Sequence, residues 1–335
     1  MKDSPKHSYK IFKTNDITIP KSQEEFAVDV LIGLSQEPKW LPCKYMYDER
    51  GSRLFQKIMA LPEYYLTRCE TELLNMHKVS IAEILGNKSF NLVELGVGDG
   101  RKTKILIKQF MERGLDFHFV PIDISESAIK ELLNKMESCF ADLKIEGLVS
   151  EYFNGLNRLS NLNQRRNVVL FLGSNIGNFN PPETRVFLSS LWNALNDGDY
   201  LLIGFDLKKE INIINRAYND PQGITAQFNL NLLKRINHEL GGDFNLEQFQ
   251  YYSYYDVFSG AVKSFLVSLK KQTVFIETIN RLFSFREWEP IHTESSYKFG
   301  KTEVQNHADQ NGFEVIADFY DSNEYFVDSF WQVKK

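Results

Sequence analysis

Ser-Phe-Asn-Leu-Val-Glu-Leu (89–95), the cluster Gly96-Val97-Gly98-Asp99-Gly100, a helical pattern from Arg101, and Leu-Asp-Phe-His-Phe-Val-Pro-Ile (115–122) closed by Asp123 form the stretch that decides the fold. A strand, a glycine turn, a helix and a second strand ending in an acid make one half of a nucleotide-binding βαβ unit. Glycine lacks Cβ, so the backbone can turn sharply and approach a ligand closely, and the carboxylate suits a pair of ribose hydroxyls. A dinucleotide site asks for G-x-G-x-x-G. Here Gly96-x-Gly98-x-Gly100 runs directly into Arg101 and Lys102, which fits S-adenosylmethionine (SAM) better than NAD. A bare strand-to-helix turn is the competing explanation, and the acid about 25 residues downstream weighs against it.

The α/β rhythm continues outward. Ser125 or Ser127 can cap a helix carrying Ile129, Leu132, Leu133 and Met136 on one face. A third strand fits 145–150. Val168–Leu172 and Tyr200–Phe205 are continuous apolar runs of the kind that strands buried on both faces require, giving five parallel strands. From 209 to 297 the rhythm breaks into an inserted α+β lobe. Phe228, Leu232, Leu233, Ile236 and Leu240 predict a helix ended by Gly241-Gly242, and 261–277 reads as strand. A short helix at 301–311, stopped by Gly312, precedes two strands, FEVIADFY and EYFVDSFWQV, that would complete the sheet as an antiparallel pair. The expected architecture is a seven-stranded, Rossmann-like class I methyltransferase domain, residues 1–208 and 298–335, with a substrate-binding lobe at 209–297.

Composition agrees with a compact enzyme. The chain has 335 residues, 43% of them hydrophobic, and a net charge of -5, which argues against a broad nucleic-acid surface. Its polar start lacks the apolar core of a signal peptide, and no run reaches the ~18 apolar residues of a spanning helix, so no membrane partner and a cytoplasmic location are expected. Cys43, Cys69 and Cys139 lie far apart, and His7, His77, His118, His238, His292 and His307 are scattered, so neither a disulfide scaffold nor a metal site is expected.

Upstream of the sheet the chain meets a family. It resembles the histidine Nα-methyltransferases of ergothioneine biosynthesis, a group that includes fungal N-methyltransferases acting on a prenylated tryptophan. The resemblance runs from about residue 25 to 335, through Tyr47-Asp48 with Gly51-Ser52, Leu61-Pro-Glu-Tyr-Tyr-x-Thr-Arg68, Glu94-Leu-Gly-x-Gly98 with Lys102, and Pro121-x-Asp123-x-Ser125. It continues through Phe171-Leu-Gly-Ser-x-Ile-Gly-Asn178, Ala217-Tyr-Asn-Asp220, Gly223-Ile-Thr-Ala-Gln-Phe-Asn229 and His292-Thr-Glu-Ser-Ser-Tyr-Lys298.

The resemblance implies SAM as cofactor, S-adenosylhomocysteine (SAH) as its product, and a free amino acid, L-histidine first, as acceptor of a monomeric enzyme. It places Gly96 and Gly98 against the donor, Asp123 on the ribose, Tyr47 and Lys102 over the methionine end, and Glu151 and Tyr152 near the adenine. It implies that Asn178 and Tyr218 grip the α-amine and α-carboxylate, with Tyr47 and Asn178 as catalytic residues. Tyr64, Glu294 and Ser296 match the side-chain pocket, and Thr225 would join through water. Without the family, Asn178 would read as a turn residue, Glu294 as a surface acid, Tyr47 as a core aromatic and Lys102 as a solvated helix residue.

One departure stands out. Where the histidine enzymes commonly carry Arg-x-Glu-Met, this chain has Ala261-Val-Lys-Ser264, so a bulky thioether gives way to a small hydroxyl. Three readings follow: histidine Nα-trimethylation to hercynine, N-methylation of another, aromatic amino acid prompted by Ser264, and a SAM-binding sensor without catalysis.

Overall fold

The computed structural model describes residues 10–13, 22–96, 98–162 and 165–335. Most of the polar start, His7 and Val97 of the glycine cluster lie outside them. In chain order the first elements are β1 (Lys10–Lys13), α1 (Ser22–Ser35), β2 (Lys39–Trp40), α2 (Glu49–Met59) and α3 (Tyr65–Leu85). The expected alternation follows: β3 (Phe90–Leu95), α4 (Arg101–Glu112), β4 (Phe117–Asp123), α5 (Glu126–Cys139), β5 (Glu146–Val149), α6 (Tyr152–Leu162), β6 (Arg166–Phe171), α7 (Pro181–Ala194) and β7 (Tyr200–Asp206). Then come α8 (Ile211–Tyr218), α9 (Ile224–Leu240), β8 (Phe249–Asp256), β9 (Ala261–Ser268), β10 (Gln272–Ile276), β11 (Arg281–Phe285) and β12 (Pro290–Tyr297). The chain ends with α10 (Lys301–Gln310), β13 (Phe313–Tyr320) and β14 (Phe326–Val333).

The main sheet has the order β1-β5-β4-β3-β6-β7-β14-β13. The five central strands are parallel, and β14 runs antiparallel to both β7 and β13, as the closing helix-strand-turn-strand pattern requires. The seven expected strands are all present, but the sheet has an eighth. β1 pairs in parallel with β5 at the edge, and four residues in a polar segment carry too little periodicity to be read as a strand.

Successive side chains of a strand face opposite ways, and the continuous apolar runs reflect this. Phe90 and Leu92 enter one buried core while Val93 and Leu95 enter the other. Ser125 caps α5 by accepting from the Ala128 N–H at 3.2 Å, and Gly241 ends α9 in the left-handed region at φ 65°.

Within 209–297 the structure corrects one expectation. Residues 261–277 do not form a single strand: β9 stops at Ser268, and β10 belongs to a separate hairpin with β11. The solvated pair Lys270-Lys271 occupies the break. A four-stranded sheet of order β2-β12-β9-β8 packs with α8 and α9, so β2 joins it from the N-terminal region.

The Tyr47-Asp48…Gly51-Ser52 motif has a local cause. Asp48 caps α2 by accepting from the Gly51 N–H at 2.7 Å and receives Asn231 of α9 at 2.8 Å. A Cβ on Gly51 would fall 1.6 Å from the Met46 carbonyl oxygen. Gly51→Ala is therefore expected to cost about 1–3 kcal/mol, the range of overpacked sites, read as a lower urea midpoint with an unchanged slope.

Candidate active site

Three strand ends meet at the glycine turn. Gly96, Gly98 and Gly100 all have positive φ, at 79°, 48° and 69°. A Cβ on Gly100 would come within 2.3 Å of Leu132, so its absence lets α5 close against the start of α4. At Gly96 a Cβ would lie 2.9 Å from the Tyr152 hydroxyl, whereas the space beside Gly98 is open. Tyr152 follows β5, and burial together with the Asp123 charge pushes its phenol up to about 12. Asp123 ends β4, half-exposed, and accepts from the Ser125 N–H at 2.8 Å. Glu151 is exposed beside Tyr152.

Glu94 sits behind this turn. One carboxylate oxygen takes the Thr103 hydroxyl, while the other is buried with no partner, and burial raises the group to about 8. The open space beside Gly98 and the half-exposed Asp123 carboxylate fit the adenosyl donor that the sequence implies. Lys102, expected over the methionine end, binds the fully buried carboxylate of Glu70 on α3. Glu70 in turn accepts the Gly173 N–H at 2.6 Å.

The residues expected to bind the acceptor share one cavity, lined by Tyr47, Tyr64, Asn178, Tyr218, Thr225, Glu294 and Ser296. Phe55 of α2 and Phe228 of α9 complete its aromatic wall. Tyr47 is 39% exposed and sets its ring edge-on to Phe55 and Phe228, at 5.4 and 5.3 Å between centroids. Tyr64 and Tyr218 meet edge-on at 6.2 Å, and burial keeps both phenols protonated well beyond their ordinary range.

Asn178 ends a short turn beyond β6, and this turn is tightly held. Ser174 adopts φ 56°, a left-handed conformation that is strained for a side-chain-bearing residue, and its hydroxyl accepts the Asp206 N–H at 2.9 Å. Gly177 lies against the backbone of Tyr297, where a Cβ would come 2.9 Å from the carbonyl oxygen. The loop bearing Asn178 is thereby registered on β12, the strand that carries Glu294 and Ser296.

A bulge between His292 and Glu294 re-aims β12, a device common beside active sites. Glu294 is half-buried, and desolvation pushes its carboxyl up to about 7, the Lys298 ammonium pulling the other way. The Thr225 hydroxyl is buried without a partner. Ser264, paired in register with Glu294, does not line the cavity: its hydroxyl meets the Tyr251 phenol at 3.2 Å.

Sequence reading missed the buried cluster below. Tyr65 donates to Asp206 at 2.9 Å, Lys209 pairs with the same carboxylate, and Lys298 reaches it at 2.8 Å. An acid ending an apolar strand was the one available signal. Among the described residues no group of acids, histidines and cysteines could hold a metal ion, the three cysteines are free, and no helix is long and apolar enough to cross a membrane.

The Glu294 shift has a sign that can be tested. Between the ordinary value of 4.5 and about 7 the folded chain keeps a proton that the unfolded chain has lost, so stability falls as pH rises through that window. Glu294→Gln removes the penalty. Relative to wild type the ligand-free variant should gain on the order of 1–2 kcal/mol between pH 5 and pH 8 in urea unfolding; an equal difference at both pH values would refute a buried, proton-retaining carboxyl.

Residues 26–333 match the family described as histidine-specific methyltransferase, SAM-dependent. The chain is 35% identical to a histidine N-alpha-methyltransferase of Mycobacterium tuberculosis, over 81% of this chain and 83% of that one. Ergothioneine biosynthesis protein 1 of Schizosaccharomyces pombe is 31% identical over 83% of this chain, which spans 37% of that longer protein. The N-methyltransferase fsqC of Aspergillus fumigatus is 28% identical over 86% of this chain and 78% of its own. The glycine cradle, the shared cavity and these relatives together make the chain a member of the histidine-specific, SAM-dependent methyltransferase family.

Proposed function

We propose that this enzyme methylates the α-amine of L-histidine three times, giving Nα,Nα,Nα-trimethylhistidine, the hercynine of ergothioneine biosynthesis. The observation that carries the reading is the single cavity holding two recognition sets: Asn178 and Tyr218 for an amino acid's amine and carboxylate, and Glu294, Ser296 and Tyr64 for an imidazole. A carboxyl at about 7 faces a side chain whose ordinary pKa is near 6.5. The two can share a proton at little cost in either direction.

Gly96, Gly98, Asp123 and Tyr152, with Glu151 alongside, would hold SAM, whose sulfonium would supply the methyl group with SAH as the product. The chain's own task is alignment, because an in-line displacement needs the acceptor nitrogen unprotonated and on axis, and orientation alone removes several kcal/mol of barrier, about 7 or more in well-aligned systems. Asn178, fixed on a strained loop, and Tyr47 at the rim are placed to orient that nitrogen. The product grows into a permanent cation, and the rings of Tyr47, Tyr64, Phe55 and Phe228 line the cavity where a ring face can attract it. Each cation–π contact contributes about 0.5–2 kcal/mol. The Ser264 hydroxyl, engaged by Tyr251, leaves the case for a larger aromatic acceptor without a specific contact to support it.

Incubation with SAM and the set of free amino acids, read by mass, should show one, two and then three methyl groups on L-histidine and none on tryptophan or tyrosine. Methylation of another amino acid in preference to histidine would refute the acceptor assignment. Separating phenol from ring, Tyr64→Phe should weaken histidine binding while still completing the third transfer. Tyr64→Leu should also slow the final transfer roughly two- to thirtyfold, with the dimethyl product accumulating in a time course.

A further inference from the structure

Lys298 closes the motif that carries Glu294 and Ser296, yet none of the roles above uses it. Its ammonium has no exposure. An ammonium has three donors and no acceptor, and here each donor has a partner: Asp206 Oδ2 at 2.8 Å, the Tyr218 hydroxyl at 2.7 Å and Ser296 Oγ at 2.8 Å.

The two hydroxyls also lie 2.8 Å from each other. Each accepts from Lys298, and one donates to the other, so of their two hydroxyl hydrogens a single one is left to point elsewhere. Both side chains line the acceptor cavity. That triangle therefore offers a donor to the cavity, which calls for an acceptor on the ligand.

Charge counting gives the same sign. Asp206 carries one negative charge, while Lys209 and Lys298 each pair with it, and Tyr65 stays a neutral phenol because burial raises it. The cluster holds one positive charge more than it neutralises. Lysine is almost never fully buried unless paired, and the partner already present is shared with a second lysine.

We propose that Lys298 is the positioning residue for the anionic end of the acceptor: it holds the Tyr218 hydroxyl, directly and through Ser296, and sets a positive charge beneath the place where the α-carboxylate is held. This rests on the amino acid reading given above.

Lys298→Met is a fair test because Asp206 remains paired with Lys209 and Tyr65, so no buried charge is orphaned. Binding of L-histidine and of L-histidinamide, whose carboxylate is replaced by a neutral carboxamide, is measured by calorimetry in the presence of SAH. The variant should bind L-histidine about ten- to a hundredfold more weakly, bind L-histidinamide within about threefold of wild type, and keep its affinity for SAH alone. An equal loss for both ligands would make Lys298 a mere wall support and overturn the proposal, as would an unchanged preference for the acid. Should Lys298→Met lose SAH affinity, Lys298→Gln, which keeps a donor for Asp206 without the charge, gives the same ratio. Wild-type protein that binds SAH but no amino acid would instead overturn the acceptor reading, a distinguishable result.

Discussion

The Asp206 carboxylate is the interaction on which the site's geometry depends. It ends β7 with no exposure and gathers Tyr65 from the start of α3, Lys209 from the following loop and Lys298 from just beyond β12. Its own N–H goes to Ser174 in the strained turn after β6, and its carbonyl accepts the Phe299 N–H at 2.9 Å. Four segments distant in sequence are thus fixed at one point. A buried ion pair is weak grounds for stability, since desolvation offsets most of the attraction. What a charge with several partners does impose is one arrangement: a displaced segment leaves a buried ion short of a partner, at a cost of several kcal/mol, roughly 3–5 where a pair is broken. The cluster therefore acts on register, and the register it sets is that of Asn178, Tyr218, Ser296 and Glu294.

The cavity above is kept polar without being strongly charged. Tyr64 and Tyr218 remain protonated, because burial and the nearby negative groups both disfavour a phenolate, and so they serve as donors. Glu294 is held near the middle of its titration at neutral pH. Such a lining suits an amine that must arrive without its proton, since a fully ionised carboxylate elsewhere in the same cavity would favour the ammonium form.

Much of the fold was legible because parallel strands buried on both faces must be apolar throughout, which is how β3, β4, β6 and β7 read. The lobe was less legible. Phe-Gln-Tyr-Tyr-Ser-Tyr-Tyr-Asp of β8 alternates aromatic residues that are buried or exposed without a clear polar face, and β12 carries Glu294 and Ser296 because these positions line the cavity. β2 is two residues long and becomes a strand only through β12. In the site, Tyr64, Tyr218, Thr225, Glu294 and Ser296 were found through a family resemblance, and the cavity that collects them could not be derived from spacing. Lys298, Lys209, Asp206 and Glu70 were missed for a physical reason: each alone reads as a surface charge, and only their pairing in the fold, Asp206 with Lys209 and Lys298 and Glu70 with Lys102, makes burial possible. Lys102 was noticed, but its partner Glu70 lies on a helix that precedes the sheet.

That last pair lies where the strand order reverses. In the sequence β5-β4-β3-β6-β7 the direction of growth changes between β3 and β6, and open α/β sheets bind ligands in the crevice at this point, outside the carboxyl ends of the strands. The loop after β3 carries the glycine cradle, and the loop after β6 carries Gly173 and Asn178. Glu70 spans the two, binding Lys102 at the start of α4 on one side and the Gly173 N–H on the other. The loops after β3 and β6 are thereby held by one buried carboxylate. Lys102 neutralises that carboxylate, and the neighbouring Asp328 keeps its own proton, its pKa raised by burial and by the Glu70 charge. The junction is thus close to electrically neutral, and alignment between the two half-sites is maintained without a net charge that would bias a sulfonium on one side or an amine on the other.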